Sequence, residues 1–159
     1  MTGLIPMMLP TCRNVLLALV LTAALAKAAI PPIAMLFIQT KGAAVNVTLN
    51  IANNSDFELL IESYNVFADG HLTSPVFTIQ CDGREVAYTG PMVKRRRPIA
   101  SDYIRIPAHG QRSFTADLAK FYSFPSGKHS YKVVFESIYT LPAKESFYML
   151  RSDPIIFDR

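Results

Sequence analysis

The sequence predicts an all-β fold: a single immunoglobulin-like antiparallel β-sandwich of about seven to eight strands behind an N-terminal signal peptide. Three observations predict it. The dominant hydrophobic period after residue 28 is two, the alternating segments are short, and turn signals recur roughly every 8 to 12 residues. Only Asp117 to Tyr122 offers a brief helical turn, and no repeat, heptad or low-complexity linker points to a second domain.

The N-terminus comes first. Arg13 supplies a positive flank, Val15 to Ala26 (VLLALVLTAALA) is an apolar run, and Ala26-Lys27-Ala28 is a small-x-small sequence suited to cleavage. The run is shorter than the roughly 20 apolar residues of a membrane helix, so residues 1–28 read as a secretory signal and residues 29–159 as the sandwich domain. The alternative is an uncleaved anchor, since Ile30 to Ile38 (IPPIAMLFI) is apolar again. Cleavage removes two cations and no acid, so the formal charge falls from +4 to +2. That is too mild for a global nucleic-acid footprint. Cys12 leaves with the signal, which excludes an intramolecular disulfide in the mature chain. Cys81 then reads as a half-buried small hydrophobe beside a turn, with a reactive or intermolecular thiol as the alternative.

The strands follow in order. Ile30 to Thr40 contributes the first. Val45 to Ile51 (VNVTLNI) alternates strictly, so one face meets a core and the other water. Asn53-Asn54-Ser55-Asp56 carries turn chemistry, and Phe57 to Phe67 reads as the next strand. Val76 to Gln80 runs into Asp82-Gly83, a hairpin signal, and emerges as Glu85 to Tyr88. Tyr103 to Ile106 stops at Pro107-Ala108-His109-Gly110. Phe114, Ala116 and Leu118 alternate on one strand, and Tyr131, Val133 and Phe135 on another. Tyr148 to Phe157 closes the sheet, with Pro154 marking an edge or a bulge.

Catalytic constellations are missing from this pattern. His71, His109 and His129 each stand beside turn residues without a second histidine at chelating spacing, and no HExxH or GxSxG occurs. Cys81 lacks the nearby second cysteine of the usual structural zinc patterns. Asp82 and Glu85 form a carboxylate pair, but Asp-Gly already explains Asp82 as a turn residue. No catalytic residue, metal ligand or cofactor is therefore expected. Asn46-Val47-Thr48 and Asn53-Asn54-Ser55 match the N-glycosylation pattern, which makes Asn46 and Asn53 candidate acceptors in a eukaryotic source and plain polar positions in a bacterial one.

The order of features from Asp82 to Phe135 carries a family resemblance. Asp82-Gly83 is followed by Val86-Ala87-Tyr88-Thr89-Gly90-Pro91, Lys94-Arg95, Pro98, Asp102-Tyr103 and Ile106-Pro107-Ala108-His109-Gly110. Then come Ser113 to Leu118, Tyr122, and Gly127 ahead of Tyr131-Lys132-Val133. This resembles the N-terminal, non-catalytic β-sandwich region of deuterolysin-like and peptidyl-Lys metalloendopeptidases, and the likeness extends upstream through Val45 to Asn54. In those enzymes the zinc ligands lie in a separate catalytic domain with HExxH, so no catalytic residue carries over. The resemblance implies a non-catalytic binding module, secreted or periplasmic, acting in trans on an extracytoplasmic protease as inhibitor, folding chaperone or accessory domain. The alternatives are a structural or surface-interaction protein that uses a sheet edge for strand addition, and a degenerate metalloendopeptidase.

One charged run remains. Lys94, Arg95, Arg96 and Arg97 are consecutive, bracketed by Gly90-Pro91 and Pro98 as a connection between strands. They read as a solvated loop, as a contact for an acidic patch on a partner, or as a site for proteolytic nicking. Nucleic-acid binding is not expected, because no base-stacking aromatic interleaves with the cations. A membrane partner is expected only if the N-terminal segment is uncleaved.

Overall fold

A computed structural model describes residues 30–142 and 146–159. The expected signal, its cleavage site and Cys12 fall outside them. Ten strands follow in chain order: β1 (Ile33–Lys41), β2 (Ala44–Ala52), β3 (Leu59–Glu62), β4 (Phe77–Cys81), β5 (Arg84–Glu85), β6 (Tyr103–Ile106), β7 (Gln111–Asp117), β8 (Ser130–Leu141), β9 (Ser146–Arg151) and β10 (Ile155–Asp158). All pairings between them are antiparallel. A front sheet runs β1-β2-β7, and the other seven strands form a back sheet organised around β8. The expected β-sandwich is what forms, with ten strands in place of seven or eight.

The strict alternation in β2 explains its central place. Val45, Val47, Leu49 and Ile51 are fully buried, and they alternate with Asn46, Thr48 and Asn50 at the outer surface of the front sheet. Against them pack Leu59 and Ile61 from β3, Ile79 from β4, and Tyr131, Val133 and Phe135 from β8. Each fully buried aliphatic side chain contributes about 1.5–3 kcal/mol of transfer free energy, so this one layer outweighs any surface ion pair. The β1–β2 turn has two residues, and Gly42 (φ 58) supplies the positive dihedral that lets its twist match that of the strands.

Strand β8 is longer than its Tyr131–Phe135 alternation suggests and is paired on both sides. On one side its first half pairs with β4 and its second half with β3; on the other side β10 and β9 take the same two halves. One of the expected strands therefore divides. Tyr148 to Phe157 breaks around Pro154, and the register against β8 shifts by one residue between Arg151↔Glu136 and Ile155↔Val133. That is a bulge, as the proline requires. The buried Ser152 hydroxyl accepts from the Phe135 amide (3.0 Å) where the ladder is interrupted.

Phe57 to Phe67 also shortens. It is extended only over Leu59–Glu62, then tightens into the 3-10 turn Ser63–Val66 with Phe67 left-handed (φ 43). The turn places Val66 and Phe67 in the core, where Phe67 meets the rings of Phe77 and Phe114. Burial of two large apolar groups outweighs a strand's worth of ladder bonds at an element end.

Asn53 corrects an expectation. The sequence places it in a polar turn as a candidate glycan acceptor, yet its side chain is fully buried. Its Nδ2 donates to the carbonyls of Phe57 (2.8 Å), Ile106 (3.0 Å) and Pro107 (2.9 Å), and its Oδ1 accepts from the Ser55 amide and hydroxyl. The nitrogen that would carry a glycan is committed to the joint between the front-to-back crossover and the β6–β7 turn. Asn46, by contrast, faces outward from β2 and stays exposed.

Candidate functional site

Two places concentrate side chains that the core does not explain. The first is the connection of residues 91–99 that carries the cationic run. It is exposed throughout apart from a half-buried Pro98, yet it is tethered at both ends and in the middle. Tyr88 donates its hydroxyl to the Pro91 carbonyl (3.0 Å), and the Val93 amide reaches the Thr73 carbonyl (3.4 Å). Arg95 lays its guanidinium over the Tyr64 ring, 3.4 Å from the centroid, and donates to the Thr73 hydroxyl. Arg96 makes a two-pronged contact with Asp102 (2.7 and 3.1 Å).

The four cations are thus not equivalent. Asp102 accepts from the Ile99 amide as well (2.8 Å), and these bonds, the amide first and the guanidinium second, hold its carboxyl below the usual range. Glu62 moves the other way, raised by burial against the partial offset of Arg95. The side chains of Lys94 and Arg97 form no hydrogen bond or ion pair among the described residues, although the Arg97 carbonyl accepts from Arg96 (3.0 Å). On either side of Lys94 and Arg97 in the chain stand Met92 (73% exposed), Val93 (51%) and Ile99 (55%). Arginine anchoring therefore presents a mixed apolar and cationic surface instead of a freely solvated loop.

The second place is the mouth of a cavity of about 610 Å³, lined by Cys81, Asp82, Arg84, Glu85, Val86, Ala87, Ser123, Pro125 and His129. The β4–β5 hairpin builds one wall. Its two-residue turn needs positive φ at both positions, which Asp82 (46°) and Gly83 (81°) provide. The left-handed Asp82 turns its carboxylate back toward the start of β8. There Oδ1 accepts from the Ser130 amide (3.1 Å) and Oδ2 meets His129 Nδ1 at 2.7 Å. His129 Nε2 lies 3.0 Å from the Ser126 carbonyl.

Both imidazole nitrogens face acceptors, so both donate when the ring is protonated. Accordingly the Asp82 hydrogen bond, seconded by Ser126, raises the His129 pKa, while His129 and then the Ser130 amide lower that of Asp82. The buried thiol of Cys81 lies 3.9 Å from Asp82 Oδ2. Glu85 stays exposed on β5 and does not join Asp82 as a carboxylate pair.

The other two histidines remain turn residues. His71 is exposed and bonds within its own Asp69-Gly70 turn. His109 is left-handed (φ 57) and pairs with Asp56 at 3.1 Å on the surface. Among the described residues, His129 alone of the three joins a cluster of further ligating groups, and nothing in its local sequence announces this. The contact follows from the register Cys81↔Tyr131, a pairing of residues fifty positions apart. A sequence search for metal or catalytic spacing is tuned to helices and knuckles and passes over it.

The outer sheet surfaces carry a further feature. Ile138, Phe147 and Met149 project together from β8 and β9, with Ile138 directly opposite Met149. Ile33, Met35 and Phe37 project from β1. Set against known proteins, the chain matches no protein-family model and no curated protein.

Proposed function

We propose that this chain is a non-catalytic, extracytoplasmic protein-binding module, and that residues 91–99 are its principal contact. The single observation that carries the reading is the pinned loop: Arg95 and Arg96 are spent on holding it, while Met92, Val93 and Ile99 stand exposed beside the uncommitted Lys94 and Arg97. Large apolar groups ringed by charge on a tethered segment suit a preorganised interface, since little ordering entropy remains to be lost on binding. The cations favour a partner with an acidic patch and act chiefly on its association rate. The resemblance to the non-catalytic region of deuterolysin-like metalloendopeptidases supports a protease as that partner, bound in trans.

The test uses the immobilised protein and the secreted proteins of its own source. Retention of a protease by the wild type, with binding weakened at least tenfold by Met92→Ser combined with Ile99→Ser, supports the reading. Failure to retain or alter any secreted protease overturns the protease assignment. Undiminished binding by the double variant overturns the assignment of the loop.

A second reading has its own observation. The apolar triplet Ile138, Phe147 and Met149 lies beside the β9 edge of the back sheet, which suits a structural or surface-interaction role through that face and edge. Phe147→Ser should abolish binding under this reading and leave it unchanged under the first.

A further inference from the structure

We propose that Cys81, Asp82 and His129 form a mononuclear site for a divalent ion of the zinc type. One sulfur, one oxygen and one nitrogen donor lie within 4.8 Å of one another at the mouth of the large cavity. Zinc bond lengths of about 2.0–2.3 Å put the corners of a tetrahedral site about 3.3–3.6 Å apart. The Asp82–His129 contact of 2.7 Å opens and the Cys81–Asp82 distance of 3.9 Å closes by less than about 1 Å each to reach that figure.

The surroundings orient each donor. Ser126 O takes the Nε2 hydrogen of His129, leaving Nδ1 as the nitrogen whose lone pair faces the other two ligands. A ligating histidine is characteristically fixed in this way by a carbonyl on its far nitrogen. The Ser130 amide occupies Asp82 Oδ1 and leaves Oδ2 toward the cluster. The His129 backbone exchanges two hydrogen bonds with Arg159 (2.8 and 3.0 Å), extending the β8–β10 ladder by one pair and steadying the ring. Cys81 and Asp82 are adjacent in sequence, so on a regular strand they would point to opposite faces. The left-handed dihedral at Asp82 is what brings both donors to one point.

Proton release accompanies loading. A divalent cation is met by a thiolate, a carboxylate and a neutral imidazole, so the Sγ hydrogen leaves to solvent, and with it any hydrogen on Nδ1. The two anionic donors then neutralise the cation. The mixed S, N and O donors disfavour calcium and magnesium, which take oxygen ligands, and suit zinc or its spectroscopic substitute cobalt. Three protein ligands leave the fourth position open to water from the cavity.

Titration of the purified protein with Co²⁺ tests this directly. The expected result is one equivalent bound, a thiolate-to-metal charge-transfer band, and its loss on adding Zn²⁺. Cys81→Ser should remove the band and His129→Gln should weaken binding more than about tenfold. Because either variant could disturb the hairpin, a second measurement uses the wild type alone: Zn²⁺ should slow alkylation of Cys81, identified by peptide mass, and a chelator should restore it. Absence of stoichiometric binding overturns the proposal. So does cobalt or zinc binding that survives both substitutions, or alkylation of Cys81 that is indifferent to zinc.

Discussion

Replacing Asn53 with alanine removes the polar centre of the joint between the two sheets. Its side chain makes five hydrogen bonds in full burial. Two of the three carbonyls it serves retain other partners, since Phe57 O also accepts from Ser55 Oγ and Pro107 O from the Gly110 amide. What is lost outright is the Ile106 carbonyl's contact and the acceptor of the Ser55 amide, since the Ser55 hydroxyl keeps Phe57 O; two buried groups are left unsatisfied at about 1–3 kcal/mol each. The expected destabilisation is about 3 kcal/mol, or a fall in Tm of about 10 °C for a domain of this size. Thermal unfolding followed by circular dichroism measures it, with Asn46→Ala on the exposed face as a control expected to stay within about 0.5 kcal/mol. Asn53→Asp separates hydrogen bonding from packing. Its volume is nearly unchanged, but a buried carboxylate would face three carbonyl oxygens, so it should be at least as damaging as alanine. Either variant melting within about 2 °C of the wild type, or aspartate proving the milder of the two, refutes the reasoning.

Tyr122 lends both functions of its hydroxyl to one residue of β4, donating to Phe77 O (2.8 Å) and accepting from Phe77 N (3.2 Å). Burial drives its pKa well upward. Tyr122→Phe should cost about 2 kcal/mol in urea unfolding, because two buried backbone groups lose their partner. In the loop, Lys94→Gln with Arg97→Gln should leave the urea midpoint unchanged, whereas Arg95→Gln with Arg96→Gln should lower stability by about 1 kcal/mol through the lost ring contact and the screened ion pair. Equal effects from the two pairs would contradict the division into anchors and free cations.

The Asp82–His129 pair predicts a pH profile for protein held in chelator. Asp82 is shifted down, so its contribution exists above the unfolded value of about 3.9 and is lost as pH falls through the lower folded value. His129 is shifted up, so its contribution is complete below about 6.5 and fades as pH rises through the higher folded value. Stability should therefore be greatest between about pH 4 and 6.5 as far as this pair is concerned. His129→Gln should flatten the alkaline decline, and a mutant profile that keeps it would assign that decline elsewhere.

Local chemistry made much of this fold legible. The period-two alternation of Val45 to Ile51 reports a pleat whose two faces differ in burial, and β2 forms there. Asp82-Gly83 demands a tight turn because few other pairs accept two positive φ values, and Pro154 forbids an unbroken ladder. Each of these properties is decided within a few residues of the chain. The break after Glu62 and the length of β8 are not, because they depend on which apolar groups the opposite sheet leaves room for.

The same division holds for the candidate sites. The sequence by itself determined that Lys94–Arg97 sit in an exposed connection and that Cys81-Asp82 lie at a hairpin tip. It did not reveal that Arg95 and Arg96 are anchored, since Tyr64, Thr73 and Asp102 reach them through separate segments. Only tertiary structure buried Asn53, because two of the three carbonyls that claim its amide, those of Ile106 and Pro107, lie more than fifty residues away. Only the β4–β8 register brought His129 to Asp82 and Cys81. Strand pairing is set by whole-sheet burial instead of by the residues at the contact, so the chemistry it assembles leaves no local mark.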